Sequence, residues 1–204
     1  MVHHSQIEIE RKYDVDDATE PPRLVGAGAV ATETEPDTVE LVAVYHDTEE
    51  LTLARHRVAV RIRRGGADEG WHVKLPGEEG RTELHWSLEE GDRPPAELLD
   101  LLREQIGDAP LRPIARVTNR RTTVVLQDAA GFALAELCDD HVESENLVAG
   151  GVRAWREWEV ELLEGAPDTR SGRTALLDEI ERRLLAAGAV VSASSSKLAR
   201  ALGL

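Results

Sequence analysis

Carboxylates recur two residues apart in this sequence. They stand so at Glu8 and Glu10 and at Glu157, Glu159 and Glu161, and Glu136 and Asp140, four apart, keep the same phase on either side of Cys138. Basic side chains are spaced alike at Arg61 and Arg63, and four apart at Arg116 and Arg120. Lys12 continues the phase of Glu8 and Glu10, and Lys74 follows in a short apolar run. A spacing of two places side chains on one face of a β-strand, roughly 7 Å apart. At an effective dielectric near 20, each such carboxylate pair repels by on the order of 2 kcal/mol. An outer, solvated face tolerates that, and alternating Glu is common there. If the acidic strands share one interior, the penalties accumulate and a divalent cation is the simplest compensation; oxygen-only ligands favour Mg²⁺ or Mn²⁺. An interior cluster of Arg and Lys needs anions as much, and phosphates suit the two-pronged guanidinium. Acids and bases lining one enclosure fit a complex of metal and polyphosphate.

The elements that must position these residues are mostly strands. Alternation or β-branched runs predict them over Ile7–Tyr13, Val39–Tyr45, Val58–Arg64, Trp71–Leu75, Arg81–Leu88, Ile114–Leu126, Phe132–Val142 and Val152–Leu163. Two helices interrupt the series. One opens at Pro94-Pro95 and stops at Gly107; the other runs over Thr174–Ala187 with Leu177, Ile180 and Leu184 at helical spacing. His46–His56 reads as a turn and a short irregular piece, and the tail carries Lys197 on a helical turn. About eight strands joined by hairpin-sized turns predict a mainly β (α+β) architecture. The expected form is one domain over 1–204: a meandering antiparallel sheet or barrel with flanking helices.

The chain has 204 residues, with 24 Lys and Arg against 39 Asp and Glu, a formal charge of -15. That balance argues against nucleic acid as a partner, although a local basic cavity can oppose the net field. One cysteine excludes an intrachain disulfide, no apolar run spans a bilayer, and Met1–Ser5 lacks the basic and apolar segments of a secretory leader. A cytoplasmic protein with no membrane partner is the expectation. There is no P-loop pattern. Cys138 has no histidine base beside it in sequence and reads as a small core or wall residue. The seven histidines show no metal-ligand spacing, and the tryptophans read as packing rather than base-stacking groups.

Glu8-Ile9-Glu10-Arg11-Lys12 resembles the E-x-E-x-K signature of the CYTH family, the triphosphate tunnel metalloenzymes. Tyr45-His46-Asp47-Thr48, the Arg61-Ile62-Arg63 strand, Trp71 to Lys74, Arg81-Thr82-Glu83, Ile114–Arg121, Ala135–Asp140, Glu157–Glu161 and Lys197 follow in the family's order. The resemblance implies an eight-stranded antiparallel β-barrel tunnel that binds a triphosphate-bearing small molecule with one or two divalent metals, Mg²⁺ or Mn²⁺. It implies hydrolysis of a phosphoanhydride in tripolyphosphate, thiamine triphosphate or a similar substrate. The alternatives are a class IV-type adenylate cyclase and a non-catalytic polyphosphate-binding module. Carried over by residue, Glu8, Glu10, Glu159 and Glu161 hold metal, with Glu157 the substitute if the register shifts by two. Lys12, Arg61, Arg63, Lys74, Arg116, Arg120 and Lys197 grip phosphates. Glu136 and Asp140 hold a second metal or position water, and Lys74 shares in the catalytic set. Of the adjacent pair Arg120 and Arg121, the phase of Arg116 favours Arg120. Glu83 reads equally as a partner for a tunnel base or as a surface partner of Arg81.

Overall fold

The computed structural model describes residues 4–88, 92–194 and 196–204; Met1–His3, within the leader reading above, lie outside them. The main strands are β1 (His4–Glu8), β2 (Glu10–Asp14), β4 (Asp37–Asp47), β5 (Ala59–Arg64), β6 (Gly70–Pro76), β7 (Arg81–Trp86), β8 (Arg112–Gln127), β9 (Ala133–Asn146) and β10 (Val152–Leu162). The two-residue strands β3 (Thr32–Glu33) and β11 (Val190–Val191) sit beside β8 and β2. Helices are α1 (Thr52–Arg55), α2 (Ala96–Ile106), α3 (Arg170–Ala186) and α4 (Lys197–Leu202).

All pairings are antiparallel, in the order β1-β7-β6-β5-β4-β8-β9-β10-β2-β11. The expected first strand is broken at Ile9 into β1 and β2. Its first half pairs with β7, its second with β10. One continuous stretch therefore belongs to both edges of the sheet, and this closes the barrel. The Ile9 carbonyl accepts from the Leu162 amide at 2.9 Å, and its side chain packs into the outer core while Glu8 and Glu10 turn inward.

The barrel is apolar outside and charged inside. Trp158, Val160 and Leu162 of β10 pack outward with Tyr13 against Leu177, Ile180 and Leu184 of α3. Val60, Ile62, Trp71, Val73 and Trp86 do the same with Leu53 of α1 and Leu98 and Leu102 of α2. Helix α3 starts at Arg170, earlier than its apolar spacing predicts, because the Thr169 hydroxyl accepts from Gly172 N at 3.1 Å and caps it. The irregular piece after Asp47 is α1. Its N-terminal amides are held by Asp47, whose carboxylate accepts from Leu53 N at 2.9 Å and Ala54 N at 2.8 Å. Helix α4 covers the barrel end beside Tyr45, burying Leu198 and Ala201.

Gly80 ends the β6–β7 hairpin with φ +78°, and a Cβ there would lie 2.0 Å from the Glu8 carbonyl oxygen. Only glycine allows this approach, which sets the height of Glu8 in the tunnel. Gly80→Ala is expected to lower stability by on the order of 1–3 kcal/mol. A urea midpoint unchanged from the native protein would show that the contact is not required.

Candidate functional site

The inward faces enclose a cavity of about 870 Å³. Its composition follows from register. Directly opposed residues share a face of the sheet, and Glu136 of β9 opposes Glu161 of β10, which opposes Glu10 of β2. Three carboxylates thus stand side by side across three strands, with Glu8 two residues beyond Glu10. The next row is Cys138, Glu159 and Lys12, and the one after is Asp140, Glu157 and Asp14. On the facing wall Arg61 opposes Tyr45 and His72, and Lys74 opposes Glu83.

Ion pairs divide these groups unequally. Lys12 donates to Glu10 at 3.0 Å and also contacts Glu159. Lys74 reaches Glu8, with Glu83 at 3.8 Å. Arg121 grips Asp140 with two bonds of 2.8 and 2.7 Å and reaches Glu159 at 2.5 Å. Lys197, from α4, lies within 2.7 Å of Asp140, Glu157 and Glu159. Burial alone would raise the Glu159 and Asp140 carboxyls. The neighbouring charges, led by Lys12 for Glu159 and by Lys197 for Asp140, overcome it and hold both below their ordinary values. Glu161 has no ion pair among the described residues. Burial, then the charges of Glu8, Glu10 and Glu136, pushes its carboxyl up to about 8, with Lys74 opposing. Burial likewise raises Glu8 despite Lys74.

The basic wall is short of anions. Arg61 meets Glu83 at 3.3 Å and Arg63 meets Asp68, yet Nε of each is buried without a hydrogen-bond partner. Burial and then the like charge of Arg61 press the Arg63 guanidinium down to about 9. Both remain cationic at neutral pH and present unfilled donors. The Tyr45 phenol would rise on burial, but Arg61 beside it leaves it below its ordinary value. His72, pushed down to about 3 by burial, lies 3.2 Å from Glu83 and 3.0 Å from the Asp68 carbonyl.

Of the residues expected from sequence, Glu8, Glu10, Lys12, Arg61, Arg63, Lys74, Glu136, Glu159, Glu161 and Lys197 line the cavity. Arg116 and Arg120 do not. Both are exposed on the outer face, where β8 has solvent rather than a helix behind it, and the inward set is Val117, Asn119 and Arg121. The choice of Arg120 over Arg121 is thereby reversed: Arg121 opposes Asp140 across the ladder and must share its face. Asp140 is 0% exposed, behind Arg121 and Lys197, so it fixes those cations and does not meet a water in the open cavity. Glu83 faces inward; the surface pairing with Arg81 is not formed. Tyr45, Asn119 and Arg121 are lining groups that the spacing of charges did not single out. Cys138 is buried, donates to Glu136 at 3.4 Å and has its thiol raised by burial, which makes it a poor nucleophile.

The chemistry of the donors suits a hard divalent cation: Glu8, Glu10, Glu136 and Glu161 offer only oxygen and exceed the cations beside them. Among the described residues, however, the group with its oxygens drawn together, within 4.8 Å of one another, is Asp140, Glu157 and Glu159, not this larger set beside it.

A CYTH domain model matches residues 6–189. The uncharacterized protein Rv2226 of Mycobacterium tuberculosis is 43% identical over 97% of this chain, which spans 40% of that protein's length. Among solved structures, a candidate adenylate cyclase from Bacillus halodurans matches with a TM-score of 0.64 at 24% identity, over 96% of this chain and 97% of that one. A candidate adenylyl cyclase from Hippeastrum, described as having a dominant triphosphatase activity, gives 0.52 at 18%, over 95% and 93%. At those identities the two structures speak to the fold. No helix among the described residues is long and apolar enough to cross a membrane.

Because the Glu161 carboxyl sits near 8, it carries a proton at pH 6 that a metal ion must displace. Mn²⁺ affinity is expected to rise by up to about tenfold per pH unit from 6 to 8 and to level off above that. Glu161→Gln should flatten the slope. Titrations at three pH values check this, and a pH-independent affinity in the native protein would exclude Glu161 as a ligand.

Proposed function

The chain belongs to the CYTH domain family, whose members include triphosphatases and class IV adenylate cyclases, and from that premise we propose that it hydrolyses a phosphoanhydride of inorganic tripolyphosphate. The observation that carries this reading is the pair of buried guanidinium donors without acceptors, on Arg61 and Arg63, facing a surplus of carboxylates across one cavity. A chain of phosphoryl groups bridged to a cation satisfies both walls at once.

The Arg61 and Arg63 forks bind equatorial phosphoryl oxygens, and Lys12, Lys74 and Arg121 complete the cradle. Fixed positive groups of this kind stabilise charge that grows on the bridging and equatorial oxygens during in-line displacement. Glu83 orients Arg61, and Asp140 orients Arg121 through its two-pronged contact. A divalent cation, Mg²⁺ or Mn²⁺, held by Glu8, Glu10, Glu136 and Glu161, would neutralise phosphoryl oxygens and acidify a water. Glu159, held by Lys12, Lys197 and Arg121, acts on those cations rather than as a free ligand.

Tripolyphosphate is favoured over thiamine triphosphate and ATP because the cavity wall offers no free aromatic face. Among the described residues Tyr45 is the one aromatic that lines it, and Arg61 engages it. Trp71, Trp86 and Trp158 are spent on the outer cores, and Trp155 lies under Arg200 at 4.9 Å. A base or thiazole ring would therefore add little binding.

A phosphate-release panel with Mg²⁺ and Mn²⁺ tests this on tripolyphosphate, thiamine triphosphate, ATP and longer polyphosphates. Tripolyphosphate should turn over fastest. Glu10→Gln should lower kcat roughly a hundredfold or more, while Arg63→Ala should raise KM more than it lowers kcat. Cyclic AMP and pyrophosphate from ATP would establish a cyclase instead. Tight binding with no turnover of any substrate would establish a binding module.

A further inference from the structure

Cations serve the two acidic groups of the tunnel very differently. Asp140, Glu157 and Glu159 have oxygens spaced for a divalent ion, but an ammonium already stands among them. Lys197 Nζ is 2.7 Å from Asp140 Oδ2, 2.6 Å from Glu157 Oε1 and 2.6 Å from Glu159 Oε1. Arg121 adds three hydrogen bonds to Asp140 and Glu159, Lys12 contacts Glu159, and Arg200 lies 3.8 Å from Glu157. Each of the three carboxylates has a cation within 2.7 Å, although Glu157 Oε1 accepts no hydrogen bond of good geometry. Around Glu8, Glu10, Glu136 and Glu161, by contrast, Lys74 serves Glu8, and Lys12 serves Glu10 while shared with Glu159. Among the described residues Glu136 has only a thiol donor and Glu161 has no ion pair. A divalent ion relieves repulsion in this second group. In the first it would meet an ammonium bound to the very same oxygens.

Lys197 is not delivered by a loose side chain. It begins α4, whose first turn is capped by Ser196 Oγ accepting from Ala199 N at 3.1 Å. Arg200, one turn on, contacts Asp14 and lies over Trp155, and Leu198 and Ala201 are buried against the barrel end. The ammonium is thus delivered from an anchored backbone position.

We propose that Lys197 is a built-in cation standing where a second metal would sit, so that the substrate-free protein holds one exchangeable divalent ion, on the side of Glu8 and Glu161. This inference rests on the metal-dependent reading above and fixes its stoichiometry.

Equilibrium dialysis of the full chain against Mn²⁺ at pH 8, without substrate, tests it. The native protein should bind one Mn²⁺ at saturation. Lys197→Met, which keeps the apolar stem and removes the charge, should bind two, and Lys197→Arg should return to one. Two ions in the native protein would overturn the inference while leaving metal dependence intact, and this outcome needs no variant to fold. One ion in a folded Lys197→Met would overturn it as well. No ion in the native protein would overturn both this inference and the metal-dependent reading.

Discussion

Opposite charges that leave water together must find each other or find a ligand, and this constraint organises the whole barrel. Inside the tunnel the low-polarity surroundings magnify every unpaired charge. Where partners are complete, as around Glu159 and Asp140, the carboxylates sit below their ordinary proton affinity. Where partners are missing, as at Glu161, the carboxyl holds its proton to about 8. The same imbalance, with the sign reversed, leaves Arg61 and Arg63 with unfilled Nε donors. The two deficits stand on different walls of one cavity, and on the proposed reading a metal and a phosphate chain would answer them jointly.

Charging the interior dictates the rest of the architecture. A strand whose inner face is polar has only its outer face with which to build a core, so α1, α2 and α3 must lie outside the barrel and not within a second layer of sheet. Trp158, Val160 and Leu162 face α3 because Glu157, Glu159 and Glu161 share the other face of β10, with Glu159 and Glu161 lining the cavity. Closure through Ile9 has the same origin. Glu8 and Glu10 must point the same way while serving opposite edges of the sheet, and the break in pairing between them lets one stretch do both.

Much of this could be read from period-two spacing, because the strands backed by helices carry apolar and charged residues in strict alternation. Glu8, Glu10, Arg61, Arg63, Glu159 and Glu161 were legible for that reason. On β8 the outer face meets solvent, so charge no longer distinguishes inside from outside. Arg116 and Arg120 carry the more conspicuous spacing and yet point outward, while Arg121 points in. Only the ladder, which sets Arg121 opposite Asp140, decides the matter, and cross-strand register is a long-range property absent from local spacing. The inward turn of Glu83 depends likewise on Arg61, which lies on a strand two positions away in the sheet. The early start of α3 was hidden differently: Thr169 caps it through a hydroxyl that carries no apolar periodicity.

The distribution of aromatic residues follows from the same economy of faces. Trp71, Trp86 and Trp158 are committed to the helix-facing cores, and Trp155, in phase with Glu157 on β10, is held at the barrel end, where it donates to Glu157 and lies under Arg200 of α4. On the proposed reading, selectivity in such a tunnel would come from charge number and spacing and not from the shape of an organic group. A substrate with its full charge along the chain engages both walls over its length, whereas a nucleotide places a neutral ring against charged side chains that gain nothing from it. The two signs are not sorted strand by strand: Arg61, Arg63 and Lys74 on β5 and β6 have Glu83 beside them, and Lys12, Arg121 and Lys197 stand among the carboxylates of β9 and β10, so the charge left unanswered lies, among the described residues, at the Nε donors of Arg61 and Arg63 on one wall and at Glu161 on the other.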